Sequence, residues 1–345
     1  MMKRNKVNKK ALVLFSALAL TLFSCGEARG HISLFVYSGE DTFMKGYSNQ
    51  IVESLKDKFE VKMFDGESSQ TYQNSQIVSE IDDESSKVLL INLVDRLSAS
   101  TVIEKAASVN RPIIFLNREP LERDLAGQKL AYYVGAKPES EGELQAKIVN
   151  EYFKSSDNFI ANFDRNKNKK VDVILIKGEQ GHQDTENRSK YSIDTLKSLG
   201  YDVNILDASF CDWSREMSLN HFKEIYEEFK DSIDLILSNN DDMALGVIDY
   251  LKTLEEYDSS LPLYEEFYPI IGVDATEYGV EAIKNKEMYG TVQNDYETQV
   301  EIIVTLIDYL LANKDMSDFP YEMDKENYFH TNGIALTQLG EGKIK

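Results

Sequence analysis

Residues 88–94 read Val88-Leu89-Leu90-Ile91-Asn92-Leu93-Val94, an apolar run with a single polar break. A strand apolar on both sides suits the centre of a parallel sheet, where helices cover both faces. Helical spacing follows from Ser98 to Val109, and Pro112 opens the next strand. Outward from this unit, Ile32–Tyr37 reads as a buried strand, and Met44, Tyr47, Ile51 and Leu55 recur at helical spacing. The alternation restarts at Glu141, with a helix expected to about Phe153, a polar loop, a strand over Val171–Ile176 and a helix from Thr185 to Leu199. Gly200 ends that helix as a capping glycine. Strands expected at Tyr201–Leu206, Ile233–Ser238 and Tyr268–Val273 each precede a helical pattern. The last clear helix carries Val300, Ile303, Ile307 and Leu310 on one face; Glu301 and Asp308 interrupt it, which marks a core-packed helix and not a membrane span. Repeated βα units predict an α/β protein of two doubly wound parallel-sheet lobes.

The strand-like runs end in hydrogen-bonding residues of one kind. Ile32–Ser38 leads to Asp41, Pro112–Leu116 to Asn117, and Val171–Lys177 to His182 and Asp184. Ile233–Ser238 ends at Asn239 and Asn240, Tyr268–Val273 at Asp274, and Gly290–Gln293 at Asn294. Open α/β sheets bind ligands outside the carboxyl ends of their strands. Six such ends, rich in carboxylates and amides, predict a site for a small molecule covered in hydroxyl groups: a sugar.

At 345 residues the chain exceeds one typical core, so two lobes are the natural division. Its 42% hydrophobic content allows a packed body. The first 24 residues hold five basic residues and no acid, so without them the formal charge moves from −21 to −26, which argues against nucleic acid or anionic membrane as a partner of the body. Within that segment a basic stretch to Lys10 precedes the apolar run Ala11–Phe23, the layout of an export signal and too short to span a bilayer comfortably. Leu22-Phe23-Ser24-Cys25 resembles a bacterial lipobox, which implies a signal peptide over 1–24 and acylation of Cys25; an ordinary cleaved signal with a chance cysteine is the other reading. Cys25 and Cys211 are the two cysteines, so a lipidated Cys25 leaves no intramolecular disulfide. No phosphate loop, zinc motif, nucleophile elbow or glycine-rich dinucleotide fingerprint is present.

Several ungapped stretches resemble the glucose/galactose-binding proteins of bacterial ABC sugar uptake, members of the type I periplasmic binding protein family. They are Ile91–Asp95, Thr101–Ala106, Phe115–Pro120, Ala131–Gly135, Lys177–His182, Gly272–Asp274, and Gly290–Val292 with Asn294-Asp295. The similarity covers about residues 31–345. It implies two lobes joined by three crossings, near Gly135–Pro138, Asn294–Asp295 and Tyr321–Lys325, with a sugar held between them. After a tether over 25–30, the first lobe is expected to hold 31–137 plus 295–321, and the second 138–294 plus 322–345. Such a hinge closes because the ligand bonds to both lobes.

The resemblance places Asp41, Phe43, Asn117, His182, Asp184, Arg188, Asn240, Asp274 and Asn294 at the sugar. Hydroxyl groups both donate and accept, so carboxylates accept from them while Arg, His and amides donate. Arg188 follows Asp184 by four residues and orients it if a helix starts there. Asp41 and Asp184, taken alone, also read as helix caps. Phe43 offers its ring to one face of a pyranose. Where the family has an indole for the other face this chain has Cys211, and its one tryptophan, Trp213, lies two residues on. Either a local shift brings Trp213 into place, or one stacking surface is lost and the preferred sugar changes.

Asp164, Asn166, Asn168, Lys170 (through its carbonyl) and Asp172 resemble the family's calcium loop, which supplies oxygens at alternate positions, with Asp234 as the remote acidic ligand. Lys169 stands at the usual glycine and demands an altered backbone there. The implied cofactor is one structural calcium ion; the other reading of the segment is a solvated lysine-rich loop.

The leading expectation is a monomeric binding lipoprotein, exported and held by lipid at a bacterial membrane facing the periplasm, which delivers a monosaccharide to an ABC permease. The resemblance also brings a chemotaxis receptor as a second partner. A glycoside-processing enzyme using two of Asp41, Asp184 and Asp274 is the competing class and requires one carboxyl with a raised pKa. A sugar-responsive repressor of the same fold is excluded, because an export signal stands where a DNA-binding segment would be and the body is acidic.

Overall fold

The structure is a computed structural model that describes residues 30–154, 163–338 and 340. The export segment, Cys25 and the tether to residue 29 lie outside the described residues.

Two six-stranded sheets form the body. The first has the order β11-β5-β4-β3-β1-β2, with β1 His31–Val36, β2 Glu60–Asp65, β3 Ser86–Ile91, β4 Ile113–Leu116, β5 Ala131–Ala136 and β11 Tyr328–Thr331. All its pairings are parallel. The second has the order β12-β10-β9-β8-β6-β7, with β6 Val171–Lys177, β7 Val203–Phe210, β8 Leu235–Ser238, β9 Ile270–Asp274, β10 Gly290–Gln293 and β12 Ile334–Thr337. Only β12 runs antiparallel to its neighbour. Helices cover both faces of each sheet, so strands such as β1 and β4 are buried along their whole length.

The chain passes between sheets after β5, after β10 and after β11. The first passage leads from Ala136 into the helix Pro138–Lys154, which packs in the second lobe against β6 and β8. The second leads through Asn294 and Asp295 into the helix Tyr296–Leu311, whose Val300, Ile303 and Ile307 pack against Ile32, Leu34 and Tyr47 of the first lobe. The third passage corrects the expectation of a crossing near Tyr321–Lys325. Tyr328–Thr331 pairs parallel with β5, Tyr328 opposite Tyr133 and Phe329 opposite Val134. Both aromatic side chains are buried in the first lobe, so the chain crosses only at residues 332–333.

Other boundaries differ by small amounts with clear causes. The run through Val94 leaves the ladder at Asn92, because that side chain takes over the bonding: its Oδ1 accepts from Tyr37 N, and its Nδ2 donates to Leu116 O and to Asn117 Oδ1. The helix expected from Ser98 begins as a 3₁₀ turn over Arg96–Ser98, capped by Asp95. Among the described residues no helix is long and apolar enough to cross a membrane.

Candidate ligand-binding site

The carboxyl ends of both sheets face one cavity. Asp41, Phe43, Asn117, His182, Asp184, Arg188, Trp213, Asn240 and Asp274 line it, nine of the ten residues expected at a sugar. The tenth, Asn294, sits buried at the second passage, where its Oδ1 accepts from Gln299 Nε2 at 2.8 Å. Tyr37, Met44 and Arg118 join the wall without having been expected.

Each polar group is held by its strand end. Asp41 caps the helix Thr42–Leu55 through Met44 N at 2.7 Å, and Tyr37 Oη donates to its other oxygen at 2.6 Å. The helix-cap reading of Asp41 and its place on the cavity wall are therefore both true. Asn117 adopts a left-handed φ of 58°, and its Oδ1 accepts from Asn92, which leaves its amide N–H groups as donors. Asn240 caps the helix Asp241–Leu251 through Met243 N at 2.9 Å. His182, not Asp184, caps the helix Gln183–Ser198: its Nδ1 accepts from Asp184 N. Burial, then the charges of Arg118 and Arg188, keep its imidazole well below the ordinary range and so neutral. With Nδ1 accepting, Nε2 carries the proton and is a donor.

Arg188 is the electrostatic centre. It is 2% exposed; Nε donates to Glu141 Oε2 at 2.7 Å and Nη1 to Asn239 O at 2.8 Å. Nη2 lies 3.4 Å from Asp184 and 3.5 Å from Asp274. Three buried carboxylates thus share one guanidinium. Burial raises the Asp184 carboxyl and holds that of Asp274 well above the ordinary range, against the pull of Arg188 in both cases. Burial pushes Glu141 up to about 7 despite its bond to Arg188. Glu141 escaped the sequence reading because it lies 47 residues from its partner, on a helix that crosses into the second lobe.

Trp213 lines the cavity from the second lobe, as Phe43 does from the first. Cys211 is buried in the second-lobe core, where burial pushes its thiol up to about 12. The two-residue offset is absorbed by left-handed backbone at Asp212 and Trp213, φ 47° and 63°. Cys211 N donates to Lys177 O at 2.7 Å and Ser214 N to Cys211 O at 2.8 Å, which fix that turn. Gly178 makes room: a Cβ there would fall 2.3 Å from the indole.

Contacts between the lobes border the cavity. Arg118 lies 4.0 Å over the Tyr37 ring, and its Nη2 donates to Glu179 Oε2 at 2.9 Å across the cleft. Gln183 Nε2 donates to Glu119 Oε2 at 2.7 Å. Arg118 was missed although it directly follows Asn117 at the end of β4, where the same strand-end signal stands.

The residues of the proposed metal loop gather on the second lobe. Asp164 accepts from the N–H groups of Asn168 and Lys169, and Asp234 from those of Arg165 and Asp172. Asp172 accepts from the amides of Asn166 and Asn168 at 2.7 and 2.6 Å. Lys169 takes the left-handed φ of 66° that the usual glycine would supply. All three carboxylates are buried, and among the described residues none has an ion-pair partner. Buried carboxylates of this kind call for a cation or for neutralisation. Here their oxygens accept from backbone and amide N–H groups, and burial pushes Asp234 up to about 7. Among the described residues the three carboxylates do not converge closely enough to share one ion.

Two lobes closing over a polar, aromatic-walled cavity define a solute-binding protein. The chain belongs to the periplasmic binding protein domain family, whose model matches residues 32–315. It is 31% identical over 318 residues to the D-galactose/methyl-galactoside binding periplasmic protein MglB of Haemophilus influenzae, covering 90% of this chain and 92% of that one. A xylitol-binding protein of Mycolicibacterium smegmatis is 26% identical over 151 residues, 44% of this chain and 40% of the relative. Among solved structures, an ABC transporter periplasmic solute binding protein from Actinobacillus succinogenes with bound D-allose superposes at a TM-score of 0.74, with 18% identity over 90% of this chain and 98% of that one. The two-lobed α/β fold is thus the family's, and the chain is a binding protein and not an enzyme.

Proposed function

We propose that this chain is the solute-capturing component of an ABC sugar importer, and that its ligand is a monosaccharide of the glucose/galactose type. The observation that carries this reading is the cavity wall. Acceptors from three carboxylates, donors from Arg188, His182 and Asn117, and aromatic side chains from both lobes line a single space. A pyranose has ring hydroxyls for the first two sets and apolar C–H faces for the third. The galactose-binding name of the relative that this chain matches over nine-tenths of its length supports the same sugar class. Delivery to a permease follows from closure: ligand bonded to both lobes favours the closed state, which is the form a transporter distinguishes. Export, acylation at Cys25 and presentation of sugar to a chemotaxis receptor belong to the same proposal.

The test is calorimetric titration of residues 26–345 with glucose, galactose and a panel of other pentoses and hexoses. Saturable one-to-one binding of glucose or galactose is expected. Binding of another sugar alone would keep the transport class and move the specificity; silence from folded protein would overturn the reading.

A further inference from the structure

Glu141 stands behind the cavity wall. It is fully buried and takes no part in the lining, yet its Oε2 accepts from Arg188 Nε at 2.7 Å. Its other oxygen, Oε1, has no hydrogen-bond partner among the described residues. Gly142 lets the two helices come this close: a Cβ there would fall 2.7 Å from Arg188 O and 3.0 Å from Ser192 N. Glu141 grips the guanidinium at Nε and the Asn239 carbonyl grips it at Nη1, so Nη2 is directed between Asp184 and Asp274. The carboxylate is anchored at the passages between the lobes. Lys137 N donates to Thr331 O at 2.9 Å and Gly333 N to Ser140 Oγ at 3.2 Å, and a Cβ on Gly333 would meet Glu141 Cγ at 3.3 Å. Apolar residues of similar volume commonly replace a buried ion pair without loss, so folding alone does not explain a carboxylate with an idle oxygen here.

We infer that Glu141 is a positioning residue for sugar capture: its charge holds the Arg188 guanidinium in place, and loss of that charge lets Arg188 close on Asp184 and Asp274 and weakens binding. The inference rests on the sugar-capture reading above and adds a residue that touches no sugar. The physical reason is competition for acceptors. Asp184 and Asp274 stand at the outer limit of bonding to Nη2, at 3.4 and 3.5 Å. While Glu141 is charged, its charge-assisted bond draws the guanidinium back and leaves those oxygens to ligand hydroxyls. Once Glu141 takes a proton, Asp184 and Asp274 alone balance Arg188, and their oxygens turn from ligand to guanidinium. The charged and titratable groups acting on Glu141 are Arg188 and Asp184 on the helix Gln183–Ser198, Asp274 at the end of β9, Glu139 on its own helix and Tyr133 on β5. Burial pushes Glu141 up to about 7 against the pull of Arg188, so its charge changes near neutral pH, where His182 stays neutral. Binding is therefore tightest above pH 7, falls as pH drops through 7, and releases a proton from Glu141.

The test measures galactose and glucose affinity by calorimetry from pH 6 to 8, on the wild-type soluble body and on Glu141→Gln, which keeps the shape and an acceptor but has no charge. Wild-type protein is expected to bind about fivefold more weakly at pH 6 than at pH 8. Glu141→Gln is expected to bind about tenfold more weakly than wild type at pH 8, to lose most of the pH dependence, and to keep its Tm. Other groups that titrate in this range keep their effect in both proteins, so the difference between the profiles isolates Glu141. A lowered Tm with wild-type affinity and profile in the folded fraction would make Glu141 structural and overturn the inference. So would a variant profile parallel to that of wild type, or a wild-type affinity flat from pH 6 to 8, which is readable even if the variant fails to fold. Each of these results leaves the sugar-capture reading standing, because the wild type still binds. Silence of the wild type toward both sugars and the wider panel would overturn both.

Discussion

Gly178→Ala tests the aromatic wall without touching a residue of the cavity. The added methyl carbon would sit 2.3, 2.4 and 2.5 Å from three indole carbons of Trp213, where ordinary contact begins at 3.4 Å. The indole must therefore withdraw by roughly 1 Å, a displacement that forfeits a quarter to a half of a van der Waals contact on the side it leaves. The backbone offers little relief, because Asp212 and Trp213 are already in the left-handed region and are pinned through Cys211. Gly178 itself is outside that region, so alanine suits its backbone and the fold is expected to survive. An aromatic face contributes about 0.5–1.5 kcal/mol beyond area burial. About 50 Å² of apolar sugar face at 25 cal/mol per Å² adds roughly 1 kcal/mol. Losing about 2 kcal/mol corresponds to a 30-fold weaker Kd.

Trp213 is the chain's one tryptophan, so tryptophan emission, excited selectively over tyrosine, reports this wall. Wild-type protein is expected to change its emission on sugar binding, and the variant to start from an altered spectrum and titrate at about 30-fold higher sugar. In a Trp213→Ala background, Gly178→Ala is expected to add nothing, since both act through one contact. Wild-type affinity and an unchanged spectrum in Gly178→Ala would refute the argument, as would additive losses in the double variant.

Asp184→Asn keeps the side chain's shape and is expected to weaken sugar binding at least tenfold by calorimetry with little change in Tm, since hydrogen bonds to charged groups contribute about 1.5–3 kcal/mol; retained affinity would remove Asp184 from the site. Arg188→Leu leaves Glu141, Asp184 and Asp274 buried together without a cation, and a loss of about 3–5 kcal/mol in urea unfolding is expected, with intact stability as the contrary result. Burial and the charge of Asp242 push the fully buried Asp241 up to about 7 from 3.8, although Thr291 and Thr276 donate to it, so between these values the folded chain holds a proton that the unfolded chain has released. The contribution of this group to stability is complete below pH 3.8 and falls by about 1.4 kcal/mol per unit as pH rises toward 7; Asp241→Asn is expected to remove that slope between pH 5 and 7, and equal slopes in the two proteins would contradict it. A calcium chelator is expected to leave Tm unmoved, since N–H donors already satisfy the carboxylates of the loop at Asp164, Asp172 and Asp234; a lowered Tm that Asp164→Ala abolishes would give the loop a metal.

The parts of this molecule legible in its sequence are those set by local periodicity. Strands, helices and the polar residue at each strand end follow from patterns a few residues long. They located six of the cavity's lining residues, Asp41, Asn117, His182, Asp184, Asn240 and Asp274, while Phe43, Arg188 and Trp213 came from the family resemblance. Contacts between distant loops were not legible. Glu141 reaches Arg188 only because the helix Pro138–Lys154 packs against the helix Gln183–Ser198. The position of Trp213 depends on a left-handed turn and on an absent side chain at Gly178, neither of which spacing encodes. The third passage was misplaced because Tyr328–Thr331 is a four-residue strand after turns, and its sheet is decided by pairing with β5.

The charge balance around Arg188 bears on what the cavity accepts. Three buried carboxylates face one guanidinium, and burial raises all three above the ordinary range. A ligand bringing a further negative charge to these groups would meet uncompensated repulsion at low dielectric, whereas a neutral polyol supplies the hydroxyl donors that carboxylates lack. Sugar hydroxyls bonded to Asp184 and Asp274 would stabilise their charged forms, so binding is expected to release protons where those groups are otherwise partly protonated. Titrations in buffers of different ionisation enthalpy measure that release directly. Binding with no proton exchange from pH 5 to 8 would mean that these carboxyls do not change their ionisation when the sugar binds, and that donors from Arg188, His182 and Asn117 carry the recognition.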